Sequence, residues 1–141
     1  MLQKKLLLQQ VEQNHNFVLF FPHNFVAEVS RILGKPVDTA DAQRMLRRLS
    51  GKEHRVATGI CVVSPKKTLD KAITSKVRFK SLANEEIINY VQTGEPMDKA
   101  GGYAIQGKGS FMIREFSGSK TNIIGLPIDE LKVLLEKTRY L

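Results

Sequence analysis

Two apolar segments joined by a single turn constrain this chain most. Arg55 to Val63 is rich in Val and Ile, and Ser64-Pro65-Lys66-Lys67 follows as a turn. Beyond it, Ile73, Ser75, Val77 and Phe79 alternate with Thr74, Lys76, Arg78 and Lys80. That is the period of a strand with one dry face and one wet face. The two segments therefore predict a hairpin. The wet face also absorbs part of a basic surplus: 22 Lys+Arg stand against 14 Asp+Glu, a net charge of +8. A second basic cluster runs through Arg44, Arg47, Arg48, Lys52 and Arg55. Such patches attract phosphate, of nucleic acid or of nucleotide. The chain has no zinc-finger spacing, basic zipper or aromatic-and-glycine RNA motif, so nucleic-acid binding is the least favoured reading.

Around the hairpin, residues 2–12 read as a weak helix, Phe17 to Phe21 as a short buried strand and Phe25 to Leu33 as another. The latter ends at Gly34-Lys35-Pro36. Asp38 or Thr39 can cap a helix in which Ala42, Met45, Leu46 and Leu49 form an apolar stripe and which Gly51 closes. Asn84, Glu85 and Glu86 open another helix, which stops at Gly94. Ser110 to Phe116 and Thr121 to Ile124 read as strands, and Pro127 as the start of a last helix carrying Ile128, Leu131, Leu134 and Leu135. Hairpin strands mixed with helices predict an α/β or α+β domain without a strict βαβ series. The 141 residues suit one domain.

No run of eighteen apolar residues is present, so no membrane-spanning helix is expected. Lys4-Lys5 before Leu6-Leu7-Leu8 resembles a leader, but the run is too short, and the chain is read as cytoplasmic. The single cysteine, Cys61, excludes an intrachain disulfide and a cysteine zinc cluster; within its strand it reads as a small buried hydrophobe.

Five of the ten glycines fall at Gly94, Gly101, Gly102, Gly107 and Gly109. Adjacent glycines let backbone approach a ligand closely or take positive φ. Gln106, between them, carries both a donor and an acceptor and suits a base edge, though a surface position reads equally well. Gly34-Lys35 is not a Walker loop, because Val29 and Pro36 stand where that pattern needs Gly and Ser/Thr. Lys35 is then a point charge able to face phosphate, or a plain turn lysine. His15, His23 and His54 are scattered, and no residue is assigned as a metal ligand. Glu95 and Asp98 flank the glycine stretch as solvated carboxylates or as ligands of a divalent cation.

Several blocks together resemble the Maf family of nucleotide pyrophosphatases. They are Arg31-Ile-Leu-Gly-Lys-Pro36, Ala42 to Arg48, Leu49-Ser-Gly51 with His54 and Thr58-Gly59, Glu85-Glu86-Ile87 with Tyr90, Gly94-Glu95-Pro96, Asp98 to Gly107, and Asn122 to Pro127. Their order and spacing agree over roughly residues 25–136. The resemblance implies an α/β fold with a Maf/ITPase-like mixed β-sheet flanked by helices. It divides the chain into a divergent segment, 1–24, and a Maf-like domain, 25–141, with the family's N-terminal strand and loop absent or replaced.

It also implies hydrolysis of a nucleoside triphosphate to the monophosphate and pyrophosphate, with a divalent cation, Mg²⁺ or alternatively Mn²⁺. The form Asp98-Lys-Ala-Gly with Ile105-Gln106-Gly107 is similar to the dTTP/UTP branch. By this resemblance Lys35 faces phosphate, Gln106 sets specificity, and Lys99, Gly101 and Gly102 are secondary candidates. A homodimer is implied as well. The family's Ser-x-Ser-Pro-Arg-Arg loop has no counterpart in residues 1–24. Its Ala-Asp-Thr triplet falls on Pro22-His23-Asn24, so His23 takes the place of the general-base Asp and Asn24 that of a specificity Thr. These departures predict that residues 1–24 are not the ancestral beginning, and that upstream DNA or another frame encodes both motifs. They also keep open an impaired protein that binds nucleotide without hydrolysing it.

Overall fold

The computed structural model describes residues 19–28, 31–64 and 67–137. The expected helix over residues 2–12 lies outside them. The predicted hairpin is the centre of the fold. Strand β3, Glu53–Val63, pairs with β4, Thr68–Phe79, from Glu53 opposite Arg78 to Val63 opposite Thr68. The turn end is tied by the Ser64 amide donating to the Lys67 carbonyl at 2.8 Å. On the other edge of β3 lies β1, Leu19–Glu28, whose end folds back into β2, Arg31–Leu33. Strand β5, Ile113–Ser117, completes the order β2-β1-β3-β4-β5. All four pairings among the described residues are antiparallel.

The sequence reads this first region as two strands, over 17–21 and 25–33, with Pro22 between them. The structure instead has one ten-residue strand running through residues 24 and 25, then a short return arm. Proline breaks a ladder only where its absent N–H is needed. Strand β2 pairs with Val26 to Glu28 alone, so at Pro22 β1 has one described neighbour, β3.

Helix α1, Thr39–Leu49, forms where its local signals put it. Asp38 accepts the Asp41 amide at 2.7 Å as the cap. Ala42, Met45, Leu46 and Leu49 are its buried stripe, and Gly51 leaves it at φ +66°. Helix α2, Asn84–Gln92, buries Ile87, Tyr90 and Val91 beside it. Arg47 joins the two helices by donating from Nη2 to Asn84 Oδ1 at 2.8 Å. At the start of α2, the Ala83 amide and Lys80 Nζ both donate to the Glu86 carboxylate at 3.1 Å. The amide first and the ammonium second hold that carboxyl below its usual range.

Two expected strands change identity. Residues 121–124 belong to helix α3, Lys120–Ile124: Ser119 Oγ accepts the Asn122 amide at 3.1 Å, and Gly125 at φ +132° ends it. A short apolar run cannot by itself separate strand from helix. The strand expected over 110–116 begins only at Ile113, because Gly107–Met112 is wound into 3₁₀ turns.

The core has two parts. Leu46, Leu49, Val56, Val77, Phe79, Ile87 and Met112 fill the space between the sheet and α1 and α2. Ile60, Val62 and Ile73 meet Leu131 and Leu134 of helix α4, Ile128–Lys137. Ile128 itself stays 44% exposed, outside the apolar face assigned to it from sequence. Asn122, fully buried, donates to the Val56 carbonyl at 3.1 Å and to Ser75 Oγ at 3.0 Å, fastening α3 to β3 and β4. Cys61 is buried in β3, as its surroundings predict. Among the described residues, no helix is long and apolar enough to cross a membrane.

Candidate functional site

Strand β2 delivers the chain to Gly34-Lys35-Pro36 at the level of Val26, since Leu33 lies opposite Val26. Pro36 is buried while Lys35 is exposed. The turn is held from both ends. The Val37 amide donates to Asp41 Oδ2 at 3.0 Å, and the Gly101 amide donates to the Gly34 carbonyl at 3.0 Å. The second bond sets the lysine turn on the double glycine. Gly101 has φ +73°, and a Cβ there would lie 2.8 Å from Val26 Cγ2. Only a residue without a side chain brings this backbone onto β1.

Lys99, just before the double glycine, pairs with Asp98 at 3.4 Å. The segment then runs on to Gln106, which is exposed and leads into the 3₁₀ turns. Gln106 lines a cavity of about 490 Å³ together with Ile105, Ser110, Ile113, Arg114, Phe116 and Lys120. The structure thus brings Lys35, Gly101 and Gly102 together, with Gln106 four residues further on. His23 and Asn24 lie in β1, opposite Gly59 and Thr58 and within three residues of Val26.

Tyr103, which follows the double glycine, is fixed by a residue that sequence reasoning leaves among scattered histidines. His54 Nε2 and Tyr103 Oη share a hydrogen bond of 2.6 Å inside the core. Both rings stand edge-on to Phe79, with centroids 5.0 Å and 4.7 Å away. Burial lowers the His54 pKa to about 4 and raises that of Tyr103, so both are neutral at pH 7. Alternation signals that His54 faces inward, two residues before Val56; its partner 49 residues away carries no local signal.

That depressed pKa fixes a stability profile. An unfolded histidine titrates near 6.5, so between pH 6.5 and 4 the unfolded chain binds a proton that the folded chain refuses. His54 therefore costs no stability above pH 6.5 and draws stability down as pH falls toward 4. The expected loss is about 2 kcal/mol between pH 7.5 and pH 5. Urea unfolding at the two pH values checks it against His54→Gln, in which the loss should shrink by that amount; an identical loss in both proteins removes the assignment.

Glu95 also differs from its expected roles. Its Oε1 accepts the Lys108 amide at 3.2 Å and its Oε2 the Gly109 amide at 3.0 Å. It is neither a free surface carboxylate nor an open ligand. Among the described residues, no three His, Cys, Asp or Glu side chains stand close enough to hold a metal ion.

A family model described as "Maf-like protein" matches residues 5–138. The chain belongs to this Maf-like family. Its relatives include a dTTP/UTP pyrophosphatase of Geobacter sulfurreducens, 55% identical over 102 residues, covering 71% of this chain and 53% of the relative. One from Bdellovibrio bacteriovorus is 50% identical over 107 residues, covering 74% and 56%. One from Aquifex aeolicus is 40% identical over 140 residues, covering 99% and 74%. This Maf-like chain spans about half the length of the first two relatives. The sheet flanked by helices and the resemblance of the motif blocks agree with the family assignment.

Proposed function

We propose that this chain hydrolyses a nucleoside triphosphate of the dTTP/UTP type to its monophosphate and pyrophosphate. One observation carries the reading: the Gly101 amide on the Gly34 carbonyl joins the Lys35 turn to the segment that leads to Gln106. A cation for phosphate and an amide for a base edge thereby sit on one backbone frame. The names of the relatives support the same substrate class.

In the reaction, a water oxygen bonds to the α-phosphorus and the bridging P–O bond to pyrophosphate breaks. The protons of the water pass to a base and to solvent. The ammonium of Lys35 offsets charge on the phosphates. Gly101 and Gly102 seat the segment against β1 and the Lys35 turn, and the Gln106 amide reads donor and acceptor groups on the base. His23 holds the position that the resemblance gives to a general base, and imidazole accepts protons near neutral pH. Asn24 holds the neighbouring specificity position, and Lys99 is a secondary contact. The divalent cation, Mg²⁺ or Mn²⁺, belongs in this reading to the substrate as its triphosphate complex. A homodimer in a cytoplasmic setting accompanies the proposal.

The second reading, binding without hydrolysis, has one observation in its favour: His23 stands where a carboxylate is expected. Pyrophosphate release from dTTP and UTP with Mg²⁺, paired with calorimetric titration, separates the two. The expected result is turnover of both nucleotides above a buffer blank, exceeding that of ATP. Binding with no turnover retires the enzyme and keeps the nucleotide site; no binding retires both.

A further inference from the structure

We propose that Glu95 is a positioning residue for Gln106, and that discrimination between nucleobases depends on its carboxylate. The inference rests on the nucleotide reading given above. Among the described residues the Gln106 side chain makes no hydrogen bond, so where its amide sits depends on how its backbone is held. That backbone is clamped on both sides. Two residues before it, the Ala104 amide donates to Tyr90 Oη at 3.4 Å. Two and three residues after it, the Lys108 and Gly109 amides each donate to one oxygen of Glu95. A carboxylate that accepts two backbone amides is a charge-assisted, bidentate anchor.

The sequence around the clamp is shaped to admit it. A Cβ on Gly107 would overlap Glu95 Oε1, and Gly107 has φ +85°. A Cβ on Gly109 would lie 2.6 Å from Tyr90 Oη. Tyr90 is 3% exposed, and burial, followed by its hydrogen bond to Glu95, raises its pKa, so its hydroxyl stays protonated. Tyr90 and Glu95 thus act as one unit, supplied by the end of α2 and the turn that follows. An amide that must match a base edge tolerates little displacement, so loosening this unit blurs the match without removing any group that touches the nucleotide.

The test compares wild type with Glu95→Ala and Glu95→Gln, the latter keeping one acceptor oxygen. Deuterium exchange at the Lys108 and Gly109 amides reads the clamp, and kcat/KM for UTP against CTP reads discrimination. In Glu95→Ala both amides should lose protection, and the UTP preference should shrink about tenfold through a higher KM for UTP. Glu95→Gln should recover part of both. Unchanged protection overturns the clamp. Lost protection with a UTP:CTP ratio within twofold of wild type reduces Glu95 to a structural role and overturns the inference.

If Glu95→Ala fails to fold by circular dichroism, Glu95→Gln carries the same comparison. If wild type binds but turns over neither nucleotide, the pyrophosphatase reading falls alone. The ratio of UMP to CMP affinities then decides the inference, and a wild type that does not distinguish them overturns it.

Discussion

Replacing Lys35 by alanine is expected to lower kcat/KM for dTTP and UTP by at least about a hundredfold, the scale for removing one preorganised group that faces developing charge. The local geometry makes this a clean experiment. The turn is held by the buried Pro36 ring, by the Val37 amide on Asp41 and by the Gly101 amide on the Gly34 carbonyl. None of these uses the lysine side chain, which is exposed and has no ion-pair partner among the described residues. The alanine variant should therefore unfold within about 0.5 kcal/mol of wild type. Lys35→Arg, which keeps the charge on a differently shaped head, should fall between the two. A Lys35→Ala enzyme within threefold of wild type would mean that the phosphates lie elsewhere.

Gly101→Ala should be strongly destabilising for a single added methyl. An alanine at φ +73° loses about 1–2 kcal/mol for its backbone alone. Its Cβ also falls 2.8 Å from a methyl of Val26, a side chain 2% exposed in the core, and such overpacking adds about 1–3 kcal/mol. The expected destabilisation is about 3 kcal/mol, read as a shift of the urea midpoint. Gly94 is the matched control. It has φ +78°, and nothing lies within 4 Å of where an added methyl would sit, so Gly94→Ala should lose only the backbone part. Equal losses in the two variants would show that contact with β1 contributes nothing.

What could be read in advance divides by the range of the forces involved. Helix α1 is written within fourteen residues: a cap at Asp38, a stripe from Ala42 to Leu49 and a stop at Gly51. The β3–β4 hairpin is equally local, because alternation and a turn decide it. Strand β1 is harder. Pro22 looks like a break unless its neighbours in the sheet are known, and those depend on where β2 ends. Helix α3 lacks the length that periodicity needs, and only Ser119 and Gly125 mark it.

In the candidate site, Lys35, Gly101, Gly102 and Gln106 are legible as candidates by residue type, while the roles proposed for them come from the family resemblance. Glu95 is not. Its partners are backbone amides thirteen and fourteen residues away, and an amide has no letter of its own in a sequence. The Tyr103 anchor on His54 is hidden for a related reason: each residue is ordinary by itself, and only the fold makes them a pair.

The antiparallel order β2-β1-β3-β4-β5 carries a consequence for when the protein becomes functional. Two of the four pairings, β1 with β2 and β3 with β4, close through short connections, whereas β1 with β3 and β4 with β5 close only across a helix. The bond from Gly101 to Gly34 and the one from Tyr103 to His54 instead close long loops that span much of the hairpin and helix α2. Such loops are entropically costly to close before the elements between them are in place. The frame joining the lysine turn to the glycine-rich segment is therefore among the parts of the fold whose closure is entropically most costly. Under the proposed function, a nucleotide bridging this frame would add binding free energy at that joint, so raising its concentration would shift the balance toward the closed frame.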